Sequence, residues 1–199
     1  MSASLPTISF IRHGETDWNA EGRLQGQRDI PLNDLGRVQA EEAGRILAKL
    51  HPQPDDLDWI VSPLGRTQET ARIARTAIGL GDNYFKLDER LKELTFGDWE
   101  GLTWPEVRKA DPDGARGRER DKWNYVPPSG ENYAMLCERI APVLADLRRD
   151  TVLVSHGGVA RGLMTLIAGA KHHVAVGEDI WQGKVLVLSN GKSRWEPRN

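Results

Sequence analysis

Residues 10–19 read Phe10-Ile11-Arg12-His13-Gly14-Glu15-Thr16-Asp17-Trp18-Asn19. An apolar run ends on an arginine, a histidine and a glycine, and a polar turn follows. Residues 7–11 are short, apolar on balance and partly β-branched, the composition of a strand buried in a parallel sheet. Open α/β sheets bind ligands beyond the carboxyl ends of their strands, which is where Arg12 and His13 would stand. A neutral imidazole is a nucleophile near neutral pH, and a guanidinium presents a planar fork of donors to a phosphoryl group. The pair therefore suits attack on phosphorus. Gly14 is expected to leave room for a close approach of substrate, and Asn19 adds an amide donor.

The same arrangement recurs twice further on. Apolar residues spaced by three and four predict a helix over 35–50 with Asn33 as its N-cap. Residues 57–61 predict a second strand, stopped by Ser62 and Pro63, and the next helix carries Arg66 in its first turn. Residues 151–154 predict a third strand, which runs through Ser155, His156, Gly157 and Gly158 into a helix over 159–168. A helix over 131–149, kinked by Pro142, precedes that strand. Lys184 to Ser189 alternates like a strand near the sheet edge. Strand, helix, strand in this order predicts an α/β fold, a three-layer α/β/α sandwich on a mostly parallel sheet.

Residues 87–101 read as a carboxylate-rich loop with a short extended piece. Thr103 is placed to cap a short helix that holds Pro105 in its first turn and runs toward Lys109. Residues 111–130, with Pro112, Gly114, Gly117, Pro127, Pro128 and Gly130, read as the least regular part of the chain, a mobile lid. The expected organisation is one domain over 1–199, with 102–130 as a short cap over the carboxyl ends of the strands.

Composition narrows the partners. The chain has 199 residues, 39% hydrophobic and 28% charged, with a formal net charge of -2. That is one ordinary globular core, with no global basic field to draw nucleic acid or a membrane surface. Any anion site must come from locally placed arginines. Residues 1–7 show neither a basic start nor the apolar stretch of a secretory leader, and no run reaches the length of a membrane span, so a cytoplasmic location is expected. The lone cysteine, Cys137, sits among Tyr133, Leu136 and Ile140 at helical spacing and reads as a core residue.

Three strand ends thus deliver Arg12 with His13, Arg66, and His156, and a parallel sheet would gather them on one edge. Phosphoryl transfer asks mainly for positioning and charge stabilisation, so two arginines, an amide and a second histidine make a cradle that requires no bound metal or other cofactor. The Gly157-Gly158 pair opening a helix would add amide donors for an anion. His13 must hold one ring nitrogen against a fixed acceptor such as a backbone carbonyl to keep a lone pair on the other. The flanking arginines keep it neutral, while His156 is expected to serve as a cation that donates to the phosphoryl group. A proton donor for the leaving oxygen is also needed. Glu15, Glu89, Glu93, Asp98 and Glu100 all lie in candidate loops, and spacing leaves the choice among them open.

The stretches RHGETDWN, RLQGQRDIPLNDLG, SPLGRTQETA, LKELTFGDWEG and VSHGGVAR, spread over residues 7–166, resemble the ordered motifs of the histidine phosphatase superfamily, the phosphoglycerate mutase-like proteins. The resemblance implies that His13 is the nucleophile, that Glu93 is the acid/base residue and that Arg12, Arg66 and His156 complete the catalytic set. It implies that Arg12, Asn19, Arg66, His156 and Gly157 contact phosphate, with substrate-side contacts at Gln25 and Gly26. The superfamily holds both mutases and phosphatases. The short insertion after the glutamate motif and the run VPPSGENYAMLCERI are closer to the phosphatase branch, although Pro-Ser-Gly-Glu-Asn departs from its usual Pro-Gly-Gly-Glu-Ser pattern. A phosphomonoester hydrolase acting on a small phosphorylated metabolite is expected, with a cofactor-dependent phosphoglycerate mutase and a non-catalytic phospho-ligand module as the alternatives. A homodimer is compatible with the composition.

Other residues read as structural. His172 and His173 are adjacent, point apart and are expected at the surface, with no metal. His51 reads as a helix end. Trp18, Trp99 and Trp104 fit either a cleft lining or core packing. Arg116, Arg118, Arg120 and Lys122 form a basic run that reads as a solvated face, with contact to an anionic substrate as the second reading.

Overall fold

The structure, a computed structural model, describes residues 5–81 and 84–197. Of the stretch read for a leader pattern, residues 1–4 therefore lie outside the described residues. In chain order the elements are β1 (Ile8–Arg12), α1 (Asp17–Ala20), α2 (Asp34–Leu50), β2 (Asp58–Val61), α3 (Gly65–Ala77), β3 (Lys86–Leu87), α4 (Trp104–Ala110), α5 (Pro112–Arg120), α6 (Tyr133–Asp146), β4 (Thr151–Ser155), α7 (Gly157–Ala168), α8 (His172–Ala175), β5 (Val185–Ser189) and β6 (Lys192–Glu196). None of the helices among the described residues is long and apolar enough to cross a membrane.

The six strands form one sheet in the order β3-β2-β4-β1-β5-β6. β3, β2, β4 and β1 are mutually parallel, whereas β5 runs antiparallel to both of its neighbours, β1 and β6. Alternating side chains send the two faces of each strand into different cores, as the pleat requires. Ile8, Phe10, Leu153, Leu186 and Leu188 meet α6 and α7 through Leu136, Ile140 and Leu163. Ile11, Val152, Val154, Val185 and Val187 meet α2 and α3 through Ala43, Leu47, Ala71 and Ala74. Both faces are covered, which is why β1 and β4 read as nearly continuous apolar runs, and the result is the three-layer α/β/α architecture.

A third, smaller cluster lies in the segment that follows Glu93. Trp99, Leu24, Val107 and Ala115 are buried together, with Phe96, Leu102, Trp104 and Tyr125 against them. Trp99 stacks on Tyr125 with ring centroids 5.8 Å apart and donates its indole N–H to Asp111 Oδ2 at 3.2 Å. Of the two readings of Trp99, core packing is the one observed.

Three expectations need correction. Residues 112–120 are helical, not irregular: Asp111 caps α5 by accepting from Gly114 N at 2.8 Å, and Pro112 occupies the first turn. Its glycines let Tyr125 approach, since a β-carbon at Gly117 would stand 2.5 Å from that ring. β5 lies near the sheet edge, as expected, with β6 outside it after a two-residue turn at Asn190 and Gly191, both at positive φ. That Asn-Gly pair is a hairpin signal. α7 starts at Gly157, two residues before the apolar periodicity.

Gly14 is small for a different reason from the one expected. A β-carbon there would lie 2.1 Å from Gly36 O, so the loop after β1 crosses the first turn of α2 backbone to backbone. Gly14→Ala is expected to lower stability by about 1–3 kcal/mol, the usual range for forcing atoms into a packed contact. Chemical denaturation checks it, and an unchanged midpoint would contradict the close crossing.

Candidate functional site

Strand register builds the site. Arg12 is paired with Ser155 across the parallel β1 and β4, so the next residues on each strand, His13 and His156, emerge side by side. His13 N–H still donates to Ser155 O at 2.9 Å, which extends the ladder by one step. The two rings stand 5.2 Å apart between centroids at 59°. β2 ends one residue before Ser62, whose N–H donates to Val154 O at 3.0 Å, so Ser62 arrives on the other side of His156.

The tautomers follow from the partners. His13 Nδ1 is 2.7 Å from Gly14 O, and a carbonyl only accepts, so Nδ1 carries the proton and Nε2 keeps the lone pair. His156 has the opposite arrangement. Its Nδ1 lies 3.3 Å from Arg66 Nη2, which only donates, and its Nε2 is 2.8 Å from Ser62 Oγ. His156 Nδ1 is thus an acceptor, and the ring proton sits on Nε2 toward Ser62. Burial holds both histidines well below the usual imidazole range, and the Arg66 guanidinium adds to it. His156 is consequently neutral in this state.

Arg66 is 1% exposed, and its ion pair with Asp29 is a long one. Its Nη1 donates to Arg28 O at 2.6 Å and its Nη2 to Gly26 O at 2.9 Å, with Asp29 Oδ1 at 3.7 Å. Gly26 earns its place through its backbone: φ is +52° and a β-carbon would collide with Glu100, so only glycine aims that carbonyl at Arg66. Arg12 donates from Nη1 to Ile180 O at 2.8 Å. Burial draws its pKa down to about 10. Both arginines keep a buried Nε with no partner among the described residues. Buried donors are normally satisfied, so two orphans at one strand edge mark a place for an anion.

Glu93 enters from the loop after β3. Its Oε2 accepts from Gly158 N at 3.0 Å and its Oε1 from Leu94 N at 2.9 Å. A β-carbon at Gly158 would meet Oε1 at 2.3 Å, so the second glycine makes room for the carboxylate. The expectation that both glycine amides serve an anion is corrected here, because the Gly158 amide is taken by Glu93. The other four carboxylates are occupied or remote. Glu15 accepts from Asn33, Glu89 pairs with Lys92, Asp98 is exposed, and Glu100 ties Gln27, Thr95 and Phe96 together.

Asn19 Oδ1 faces the donors of Thr16 at 3.2 Å and Gln182 Nε2 at 3.3 Å, which leaves its NH2 end as the one available to an acceptor. Gln182 also donates to His13 O at 3.0 Å, and Thr70 Oγ1 accepts from Gly14 N at 3.1 Å. Arg139 grips the glutamate loop by donating to Arg90 O, Lys92 O and Glu93 O while pairing with Glu131 at 2.7 Å. Gln182, Thr70, Ser62 and Arg139 were not singled out in the sequence, because nothing local distinguishes a glutamine 169 residues from its partner. Gln25 is buried and its Oε1 has no partner among the described residues.

The bland readings fare as follows. Cys137 is buried in the α6 core and its thiol is pushed up to about 11, away from reactivity. His51 ends α2 and its Nε2 meets Ser9 Oγ at 2.8 Å. His172 and His173 are exposed, and His172 stacks on Trp123 at 3.9 Å.

Comparison with known proteins agrees with this geometry. Residues 8–197 match the profile of the histidine phosphatase superfamily (branch 1). A glucosyl-3-phosphoglycerate phosphatase of Mycolicibacterium vanbaalenii is 37% identical over 177 residues, covering 81% of this chain and 74% of that one. An acid phosphatase of Mycobacterium tuberculosis is 38% identical over 163 residues, covering 79% and 73%. The native structure of a mycobacterial glucosyl-3-phosphoglycerate phosphatase superposes with a TM-score of 0.81 at 28% identity, over 98% of both chains. The chain belongs to the histidine phosphatase superfamily, and its relatives make it a phosphatase of that group.

Two neutral buried histidines give stability a pH dependence of known sign. Their folded pKa values lie below the unfolded value of about 6.5, so the unfolded chain binds more protons on acidification. The contribution is complete above that pH and declines as pH falls below it, by up to ~1.4 kcal/mol per pH unit for each histidine. Urea midpoints at pH 7.5 and 5.5 should fall accordingly, and His156→Gln should flatten the decline. A midpoint independent of pH across this window would contradict the neutral pair.

Proposed function

We propose that this chain hydrolyses a small phosphorylated metabolite through a phosphohistidine on His13, without a metal ion. The observation that carries the reading is the committed tautomer: Nδ1–H is held by Gly14 O at 2.7 Å, so Nε2 offers a lone pair among the guanidiniums. Nε2 forms a bond to phosphorus while the ester P–O bond breaks, and the leaving oxygen takes its electrons and a proton from the Glu93 carboxyl group. Arg12, Arg66, Asn19 and the Gly157 amide hold the equatorial oxygens. The arriving dianion offsets the two guanidiniums, so His156 can take a proton at Nδ1 and donate to a phosphoryl oxygen.

In the second half, Glu93, now a carboxylate, accepts a proton from water as its oxygen attacks phosphorus. The P–N bond breaks and its electron pair returns to Nε2, which restores the site. Gln25 and Gly26 stand on the substrate side, and the 102–130 segment, carrying α4 and α5, serves as the cap over the strand ends.

The test is single-turnover labelling with a phosphomonoester carrying radioactive phosphate. Acid-labile label should appear on the wild-type protein and vanish in His13→Ala, with turnover down by roughly 10⁴-fold or more. Glu93→Gln should slow turnover by about 10²–10⁴-fold, the usual worth of a positioned proton carrier, while leaving the protein folded. Full activity in His13→Ala would overturn the mechanism. Phosphoglycerates belong on the substrate panel, because interconversion much faster than phosphate release would make the chain a mutase.

A further inference from the structure

Ser62 and His156 meet where β2 and β4 end level with each other, and both residues are wholly buried. The serine is fixed from two sides. Its N–H donates to Val154 O at 3.0 Å, and its carbonyl accepts from Thr67 Oγ1 at 2.8 Å, so β4 and the first turn of α3 both hold it. Its hydroxyl oxygen stands 2.8 Å from His156 Nε2.

The direction of that hydrogen bond is decided on the far side of the ring. Arg66 Nη2 faces Nδ1 at 3.3 Å and has only protons to offer, so the neutral ring carries its hydrogen on Nε2 and Ser62 Oγ accepts it. An imidazolium would carry a proton on Nε2 as well, and a serine oxygen has the lone pairs to accept it in either state. A hydrogen bond to a charged group is stronger than one to a neutral group, so this acceptor favours the protonated ring.

Ser62 does so without bringing a negative charge. A carboxylate in its place would favour the cation before any phosphoryl group arrived, as an opposite charge within a few ångströms does. The charges that bear on His156 are positive: Arg66 of α3, Arg12 at the end of β1 and Arg139 of α6, with the His13 ring beside them. The Glu93 carboxylate is held by the amides of Leu94 and Gly158 instead. A phosphoryl dianion beside Nδ1 offsets the guanidiniums, and the ring can then take a proton from solvent at Nδ1. The Nε2–H bond to Ser62 keeps the ring turned so that this new N–H meets the phosphoryl oxygens.

We propose that Ser62 is a positioning residue for the reaction: its hydroxyl oxygen accepts the Nε2–H of His156 in both the neutral and the protonated ring, so that His156 becomes a donor only when a phosphoryl group sits at Nδ1. The inference rests on the phosphomonoesterase reading, and it assigns a role to a side chain that touches no substrate.

The test is ring-nitrogen NMR of protein labelled with 15N-histidine, the His156 signals being those lost in His156→Gln. At pH 6.5 the wild-type ring should be neutral with its hydrogen on Nε2, and saturating inorganic phosphate should convert it to the imidazolium. In Ser62→Ala the phosphate-bound ring should need a pH lower by about one unit to protonate, a tenfold change in that equilibrium. The basic limb of kcat for p-nitrophenyl phosphate should move down by the same amount, a shift that a purely structural serine would not produce. Ser62→Thr keeps the hydroxyl and should restore both values. A wild-type ring that stays neutral with phosphate bound, or one that protonates at the same pH in wild type and Ser62→Ala, would overturn the role of Ser62. If no phosphomonoester is turned over, the hydrolase reading fails, and the phosphate titration alone then upholds or overturns the positioning role.

Discussion

The parallel register of β1 against β4 is the constraint on which the site depends. With Arg12 level with Ser155, the two histidines must leave the sheet as neighbours, and no loop has to search for that geometry. β2, in register with β4 on its other side, adds Ser62 at the same level, and α3 then begins with Arg66 in its first turn. Slipping β1 by one residue would turn Phe10 and Ile11 toward the wrong cores as well as parting the histidines. The cores on both sheet faces therefore lock the register, and the packing of Phe10 and Leu153 is part of how the site is placed.

Electrostatics completes what register begins. A buried guanidinium is costly, and Arg12 and Arg66 stand together at one strand edge, Arg66 in a long ion pair with Asp29. Backbone carbonyls of Gly26, Arg28 and Ile180 orient them, while Glu93 sits close enough to raise the pKa of Arg12 and Arg66 without bonding either. Burial first, and the positive field second, keep both imidazoles neutral, and a neutral imidazole is the form with a lone pair to give. One arrangement thus attracts the phosphoryl dianion and preserves the nucleophile that meets it.

Legibility in the sequence followed the range of the interaction. Arg12, His13, Arg66 and His156 could be picked out because each follows a short apolar strand, so local composition and the rule about strand ends suffice. Glu93 could not be chosen among five carboxylates by spacing, since what selects it is the amide of Gly158, 65 residues away. Only the likeness to a family pointed to it. Gln182 was invisible for the same reason. α5 was misjudged because its glycines looked like breakers, whereas they admit Tyr125, and Arg118, read as part of a solvated face, is instead 3% exposed against Phe96 and Trp104. The protonation of His156 was not legible in the sequence, because the Arg66 donor that faces Nδ1 comes from another strand end.

The account stands or falls on whether a single tetrahedral or trigonal anion engages all three strand ends at once. A crystal structure with vanadate bound answers this directly. The geometry predicts vanadium bonded to His13 Nε2, with Arg12, Arg66 and His156 on its oxygens and the Glu93 carboxyl group opposite the histidine. Vanadate bound elsewhere, or seated here with His13 Nε2 turned away from the metal, would contradict it.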